Sequence, residues 1–250
     1  MAREGNKNQA VYFFGTCLGD MMYADSAMAA IHLIEREGYQ VVFPMEQACC
    51  GQPAYNSGFI EEAREVAWKQ VEVFSKHDYP IVVPSGSCAG MMKIHYPQLF
   101  QDSDKLFEVK RFSERIVELT TFLHQAAGAQ YIDRGEQIKI TWHSSCHAMR
   151  EAQCIEDSKA LLAQLANVEL VELKREHECC GFGGTFSIKQ PLISGAMVAD
   201  KVADVVATGA SAVISGDAGC LLNITGKMEK ENIKIPGIHI AEFIWGRING

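Results

Sequence analysis

Short apolar runs alternate with longer amphipathic segments along nearly the whole chain. The short runs end at small or turn-forming residues, as buried strands do, and they include AVYFF, QVVF, PIVV, IKITW, VELV and SAVIS. Helical spacing of apolar residues is seen in the longer segments DSAMAAIHLIEREG, GFIEEAREVAWKQVEVFSK and LISGAMVADKVADVVATG. Alternating strands and helices predict parallel sheets joined by helical crossovers, and therefore an α/β fold.

The same succession of elements occurs twice. Each half ends on a similar stretch, RIVELTTFL or HIAEFIWGRI, and a polar link near AQYIDRGEQ separates the halves. We therefore predict an internal repeat with two pseudo-symmetric α/β halves, at 8–127 and 135–250. Each half is expected to hold a mainly parallel sheet flanked by helices.

Composition and charge narrow the class of protein. The 250 residues are 48% hydrophobic and 22% charged, which is typical of a globular protein. A net charge of −8 without a Lys/Arg cluster argues against a nucleic acid partner. No apolar run is long enough to span a membrane, and the polar N-terminus carries no recognisable export signal. We therefore expect a cytoplasmic protein, in whose reducing surroundings clustered cysteines bind metals or do redox chemistry.

Eight of the nine cysteines follow the repeat, as one isolated cysteine, a Cys-Cys-Gly tripeptide and another isolated cysteine in each half. The first set is Cys17, Cys49, Cys50 and Cys88, and the second set is Cys146, Cys179, Cys180 and Cys220. Each isolated cysteine follows a predicted strand, so each set is expected to meet at the carboxyl edge of its sheet. The glycine behind each pair, Gly51 or Gly181, allows a sharp turn.

Four convergent thiolates suit either tetrahedral zinc or an iron–sulfur cluster. Adjacent cysteines are difficult to direct at one small ion and easier to direct at different irons of a cluster. We therefore predict that all eight cysteines bind iron–sulfur clusters, one or two in number and of the four-iron type, with zinc as the alternative. No dinucleotide-binding, P-loop or nucleophile-elbow motif is present, and no catalytic residue is predicted.

Six motifs resemble those of the cysteine-rich (CCG) domain proteins, namely GTCLGD, EQACCGQPAYNSG, PSGSCAGM, HSSCHAMRE, HECCGFGGTFS and SGDAGCL. That family includes the heterodisulfide reductase B subunit and iron–sulfur subunits of glycolate and glycerol-3-phosphate oxidases. Within it, the motifs most resemble the A proteins of lactate utilization systems. The resemblance implies an iron–sulfur electron-transfer subunit of an L-lactate-oxidising complex, an oxidoreductase subunit without its own substrate-oxidising cofactor. Its partners would be the other iron–sulfur and lactate utilization proteins of that complex.

The chain departs from the fuller family pattern, in which each repeat ends in C-x-x-C. Here Met91 occupies the last place of the first repeat, and Asp217 occupies the first place of the second. Alignment of the two Ser-Gly turns places Cys88 and Cys220 at different points of their loops, which predicts two distinguishable sites. A thiol–disulfide redox subunit and a zinc-bearing scaffold remain alternative functions.

We expect several residues near the repeated cysteines to have structural roles only. Cys154, on a continuous helical pattern, and Met91 are expected to pack in the core, and Asp217 is expected to cap the following helix. The three histidines that flank the second set are expected to make structural polar contacts rather than to tune a cluster; they are His143, His147 and His177.

Overall fold

Two four-stranded parallel sheets, one in each half of the chain, form the framework of the protein. They are seen in a computed structural model that describes residues 9–249. The polar N-terminus and the outer limits 8 and 250 of the two predicted halves lie outside the described residues. The predicted α/β fold with two halves is confirmed.

The elements of the first half are β1 (Ala10–Phe13), α1 (Cys17–Met22), α2 (Ala24–Arg36), β2 (Gln40–Val42), α3 (Gln52–Asn56), α4 (Ile60–Val73), β3 (Ile81–Val83), α5 (Gly86–Gly90), α6 (Tyr96–Leu99), α7 (Leu106–Glu114), β4 (Ile116–Glu118) and α8 (Leu119–Thr121). A 3-10 turn, Phe74–Lys76, follows α4, and π-helical turns at Met91–His95 and Phe122–Ala126 extend α5 and α8. Helix α2 has Glu37 as its C-cap, and Gly38 follows at φ 88°, the left-handed conformation that glycine commonly adopts after a helix.

The elements of the second half are β5 (Ile138–Trp142), α9 (Ile155–Leu162), β6 (Val168–Val171), α10 (Phe186–Lys189), α11 (Pro191–Ala207), β7 (Ala212–Ser215), α12 (Ala218–Lys230), β8 (Gly237–His239) and α13 (Ile240–Asn249). A π-helical turn, Ala148–Ala152, precedes α9. The helix predicted to run continuously through Cys154 is broken, because Gln153 has φ 55° and Cys154 is the N-cap of α9.

The two sheets share one strand order, which is β2-β1-β3-β4 in the first half and β6-β5-β7-β8 in the second. Val83 of β3 pairs with Glu118 of β4, and Ser215 of β7 pairs with His239 of β8. Strands β3 and β7 are third in their strand orders, and β4 and β8 are fourth. Val83 and Ser215 are therefore structurally equivalent.

This register fixes the place of the last cysteine in each repeat. Two residues beyond the matched strand ends lie Ser85 and Asp217, and each is the N-cap residue of the helix that follows. Cys88 and Cys220 both lie three residues beyond the N-cap. The prediction that Cys88 and Cys220 enter their sites from different points is therefore wrong. The strand register makes the two loops equivalent residue by residue, and this equivalence does not align their Ser-Gly dipeptides.

The first cysteine of each repeat is placed in the same way. Phe14 and His143 follow β1 and β5, and each donates its backbone N–H to the third strand of its own sheet, at 3.0 and 2.8 Å. Phe14 and His143 are thus equivalent residues. Cys17 and Cys146, each three residues further on, are equivalent as well.

The halves pack by reciprocal helix contacts, as if related by a two-fold axis. Helix α2 of the first half lies against α13 of the second, where the rings of His32 and Trp245 stack at 5.0 Å and Ser26 donates to Glu242 at 2.6 Å. Helix α9 of the second half lies against α8, and Asp157 of α9 accepts hydrogen bonds from three side chains of the first half. One apolar core built from both halves lies between the sheets, and each half has a further cluster of its own.

Within residues 9–249, no helix combines the length and the apolar character that crossing a membrane requires.

Candidate metal centres

The isolated cysteines after β1 and β5 are held by a side-chain cap on the preceding residue. Thr16 Oγ1 accepts from the Gly19 N–H at 3.0 Å, and Ser145 Oγ accepts from the Ala148 N–H at 3.2 Å. Thr16 has φ 52°, an unusual conformation for a β-branched residue. A backbone held in such a strained conformation beside Cys17 is typical of a functional loop.

Each Cys-Cys-Gly tripeptide forms a tight turn at the carboxyl edge of its sheet. Gly51 has φ 81° and Gly181 has φ 82°, which is the left-handed conformation that the sequence led us to expect. The Gly181 N–H donates to Cys179 Sγ at 3.3 Å. The turn therefore points a backbone donor at the first cysteine of the pair.

Within each set, the first cysteine of the adjacent pair accepts hydrogen bonds from its neighbours. Cys17 Sγ lies 3.8 Å from Cys49 Sγ. The thiols of Cys17 and Cys50 lower the pKa of Cys49 to about 3, and the equivalent thiols lower the pKa of Cys179 to about 2. Each set thus favours one thiolate even without a metal, and a thiolate is the form of cysteine that binds a metal or cluster.

Both sets open on a single cleft between the two halves. This shared cleft has a volume of about 370 Å³ and is lined by all eight repeated cysteines together with Ser, Thr and Gly residues of their loops. The sequence predicts that each cysteine set gathers at the carboxyl edge of its own sheet, and the structure agrees with this prediction. The sequence gives no indication that the two edges face each other.

Asp217 joins the two sets across this cleft. Its Oδ1 accepts from Ser85 Oγ at 2.6 Å and from both the N–H and the hydroxyl of Ser87, at 3.1 and 2.6 Å. Its Oδ2 accepts from the Ser145 hydroxyl. The side chain is 3% exposed and makes no capping hydrogen bond, so the expected capping role is wrong although Asp217 does occupy the N-cap position.

The strand register also changes where this chain lacks a cysteine of the fuller family pattern. In each repeat the missing C-x-x-C partner lies three residues before the last cysteine, at Ser85 in the first half and Asp217 in the second. Met91 does not fill that place. The serines around Asp217 were not singled out from the sequence, where their only signal is that each lies within three residues of a cysteine.

Comparisons with known proteins agree with this geometry. A family model described as "Cysteine-rich domain" (CCG) matches residues 11–93 and 140–225, the segments that hold all eight repeated cysteines. The chain belongs to this cysteine-rich domain family.

Curated members of the family align along almost the full length of the chain. Lactate utilization protein A of Bacillus subtilis (strain 168) is 40% identical over 238 residues, which are 95% of this chain and 99% of that protein. The protein of the same name from Bacillus licheniformis is 41% identical over 238 residues, with the same two shares. The predicted resemblance is confirmed.

A crystal structure of a hypothetical protein from Helicobacter pylori shares the fold, with a TM-score of 0.66 at 8% sequence identity. The match covers 97% of this chain and 49% of the other, so the chain spans about half the length of that protein.

The histidines of this cysteine-rich domain protein have unequal surroundings. His147 is half-buried, 3.8 Å from Glu151, and His177 lies 3.2 Å from Met149 Sδ; both make the polar contacts expected of them. His143 differs, because it is fully buried and neither ring nitrogen has a hydrogen-bond partner among the described residues. Burial lowers the pKa of His143 to about 4, which keeps the ring neutral.

Two further residues pack as the sequence predicts. Met91 is fully buried in the first half's own core cluster. Cys154 is 2% exposed and does not line the shared cleft. All nine cysteines lie within residues 9–249, and none forms a disulfide.

Proposed function

We propose that the chain is an iron–sulfur electron-transfer subunit of an L-lactate-oxidising system. The observation that carries the proposal is the pair of equivalent four-cysteine sets at one cleft, in a chain whose relatives are named lactate utilization protein A. The proposal extends to a cytoplasmic location and to partners that supply and accept the electrons.

The residues of each set would hold one cluster, most simply of the four-iron type. Cys17, Cys49, Cys50 and Cys88 are the thiolate donors at the first centre, and Cys146, Cys179, Cys180 and Cys220 are those at the second. A bound cluster of this kind takes up and releases single electrons. The Gly181 N–H at Cys179 Sγ would offset part of the negative charge that the thiolates bring.

Analysis of metal and sulfide in anaerobically purified protein tests the cofactor. We expect iron and acid-labile sulfide with broad visible absorption that bleaches on reduction. Stoichiometric zinc in a colourless protein would contradict an iron–sulfur function and favour the scaffold alternative.

Complementation tests the physiological role. The gene is expressed in a Bacillus subtilis strain that lacks its own lactate utilization protein A, and growth on L-lactate is measured. We expect growth from the wild-type chain and none from a Cys49→Ser variant, with Cys154→Ser as the matched control. Failure of the wild-type chain, expressed with full metal content, would argue against the lactate role and leave the cofactor result standing.

A second candidate, a thiol–disulfide redox subunit, is favoured by the shared cleft, on which both cysteine sets open and which a small disulfide would enter to reach them. The candidates differ in whether the reduced protein cleaves a small disulfide. Thiols released stoichiometrically from such a disulfide by pre-reduced protein would support the second candidate. We expect no release.

A further inference from the structure

His143 lies directly beside two cysteines of the second set. One of its ring nitrogens and the sulfurs of Cys180 and Cys220 are all within 4.8 Å of one another. Thiolate sulfurs and an imidazole nitrogen at this separation need only a small inward movement to bind one metal, since metal–sulfur and metal–nitrogen bonds are about 2.3 and 2.0 Å long. The geometry is therefore that of a three-donor metal site.

The surroundings of His143 give it no other partner. Its side chain is 0% exposed, and neither ring nitrogen is hydrogen-bonded within residues 9–249. A buried polar group left unpaired is destabilising and is rare in native proteins, so each instance calls for an explanation. A metal bound at the adjacent sulfurs would satisfy one nitrogen.

The equivalent residue of the first half shows whether packing alone explains a histidine at position 143. Phe14 stands at the place equivalent to His143 and is fully buried in an apolar cluster. The strand end thus accepts an apolar ring without difficulty, and packing alone does not call for a histidine.

We propose that a ring nitrogen of His143 binds the metal of the second centre directly, beside Cys180 and Cys220. The inference rests on the proposed function only in that a metal or cluster binds the second set. The two centres then differ in kind, because the first has sulfur donors alone and the second has sulfur and nitrogen donors.

The primary test is nitrogen hyperfine spectroscopy of the reduced, iron-loaded protein, made with unlabelled and with isotopically labelled histidine. We expect a strong coupling to nitrogen that changes with the label and is lost in His143→Phe, which copies Phe14 of the first half. The control His147→Gln should keep the coupling, since His147 also lines the shared cleft. A wild-type spectrum without histidine coupling would overturn the proposal, and so would a coupling that survives in His143→Phe. The wild-type measurement needs no variant and is independent of how His143→Phe folds.

Cobalt titration of the metal-free protein separates this inference from the proposed function. We expect two binding events, of which one weakens by more than about tenfold in His143→Phe, with altered ligand-field bands. A chain that takes up cobalt and zinc but never iron would refute the iron–sulfur function while this titration still tests His143. Cobalt binding that is unchanged in His143→Phe, or absent from the wild type, would overturn the inference.

Discussion

At the residue scale, Asp217 is the acceptor on which hydroxyl groups of both halves converge. A buried carboxylate is unfavourable unless its oxygens accept hydrogen bonds, and here three hydroxyls and one backbone N–H donate to it. Ser85 and Ser87 come from the first half, and Ser145 comes from the second. The network therefore links the loops of the two cysteine sets through one side chain.

Replacing Asp217 by alanine should destabilise the protein, because it leaves several buried hydroxyls unpaired. We expect the free energy of unfolding to fall by about 2–4 kcal/mol, measured by urea denaturation. The matched control Ser87→Ala removes one donor side chain and should lose only about 1 kcal/mol. Equal losses in the two variants would show that the network does not depend on Asp217.

A pH dependence follows from Glu118, whose carboxyl is buried beside Thr120. Burial raises the pKa of Glu118 to about 7, although hydrogen bonds from Thr120 and Thr121 act in the opposite direction. The protonated acid is thus favoured in the folded state. Its contribution to stability is fully present below its ordinary pKa near 4.5 and is lost as pH rises through about 7.

The variant Glu118→Gln isolates this contribution, because glutamine does not titrate. The free energy of unfolding of Glu118→Gln minus that of the wild type should rise by about 2–3 kcal/mol between pH 4.5 and 7 and stay level above. Other titrating groups, His143 included, cancel in the difference. A difference that is flat with pH would contradict a raised pKa for Glu118.

At the scale of elements, the two Cys-Cys-Gly turns differ in how closely a helix approaches them. A β-carbon on Gly181 would lie 2.9 Å from the Ser194 carbonyl oxygen and 3.0 Å from Met197 Cβ, both in α11. A β-carbon on Gly51 would have no atom nearer than 3.5 Å, the Ala63 carbonyl oxygen of α4. Helix α11 thus packs more tightly on its turn than α4 does.

Alanine at the two glycines should therefore have unequal effects. Both substitutions place a β-carbon at positive φ, which costs about 1–2 kcal/mol. Gly181→Ala must also move α11, so we expect its loss of unfolding free energy to exceed that of Gly51→Ala by about 1–3 kcal/mol. Urea denaturation of the metal-free proteins measures this, and identical losses would show that α11 yields without cost.

The strands, the longer helices and the convergence of each cysteine set could be predicted, because apolar runs, helical periodicity and turn residues are local signals. The break before α9 could not, since Gln153 carries no glycine-like signal for its left-handed conformation. The role of Asp217 was missed for a different reason. Its hydrogen-bond donors come mainly from the other half, and nothing local in the sequence identifies them.

At the scale of the whole molecule, the two centres have different electrostatic surroundings. Lys201 of α11 is 1% exposed, and its Nζ donates to the Arg175 carbonyl at 2.5 Å, close to Cys180 and Cys220 of the second set. Lys201 lies seven residues after Ser194, the residue of α11 whose carbonyl oxygen faces Gly181. The equivalent residue of α4, seven residues after the carbonyl that faces Gly51, is Gln70, whose side chain is neutral. The second set therefore has a buried lysine close by, where the first set has a neutral side chain.

A cation near a cluster favours its reduced form, so Lys201 should raise the reduction potential of the second centre. A redox titration of the iron-loaded protein should show two waves. Lys201→Gln should shift the wave of the second centre downwards, and Gln70→Lys should shift the wave of the first centre upwards. A single wave in the wild type, or two waves unaffected by either variant, would contradict this.

The hydrogen bond between Ser85 and Asp217 joins equivalent residues across the pseudo-two-fold relation of the halves. In a homodimer of identical single-repeat chains, symmetry would place the same residue on both sides of that contact. Two aspartates would bring like charges together in a buried place, and two serines would leave the neighbouring hydroxyls without a carboxylate acceptor. Fusion of the repeats into one chain removes this constraint, because each copy can change alone. A donor on one side, Ser85, then meets an acceptor on the other, Asp217. Only two diverged repeats in one chain, or the two different chains of a heterodimer, can encode such a pair.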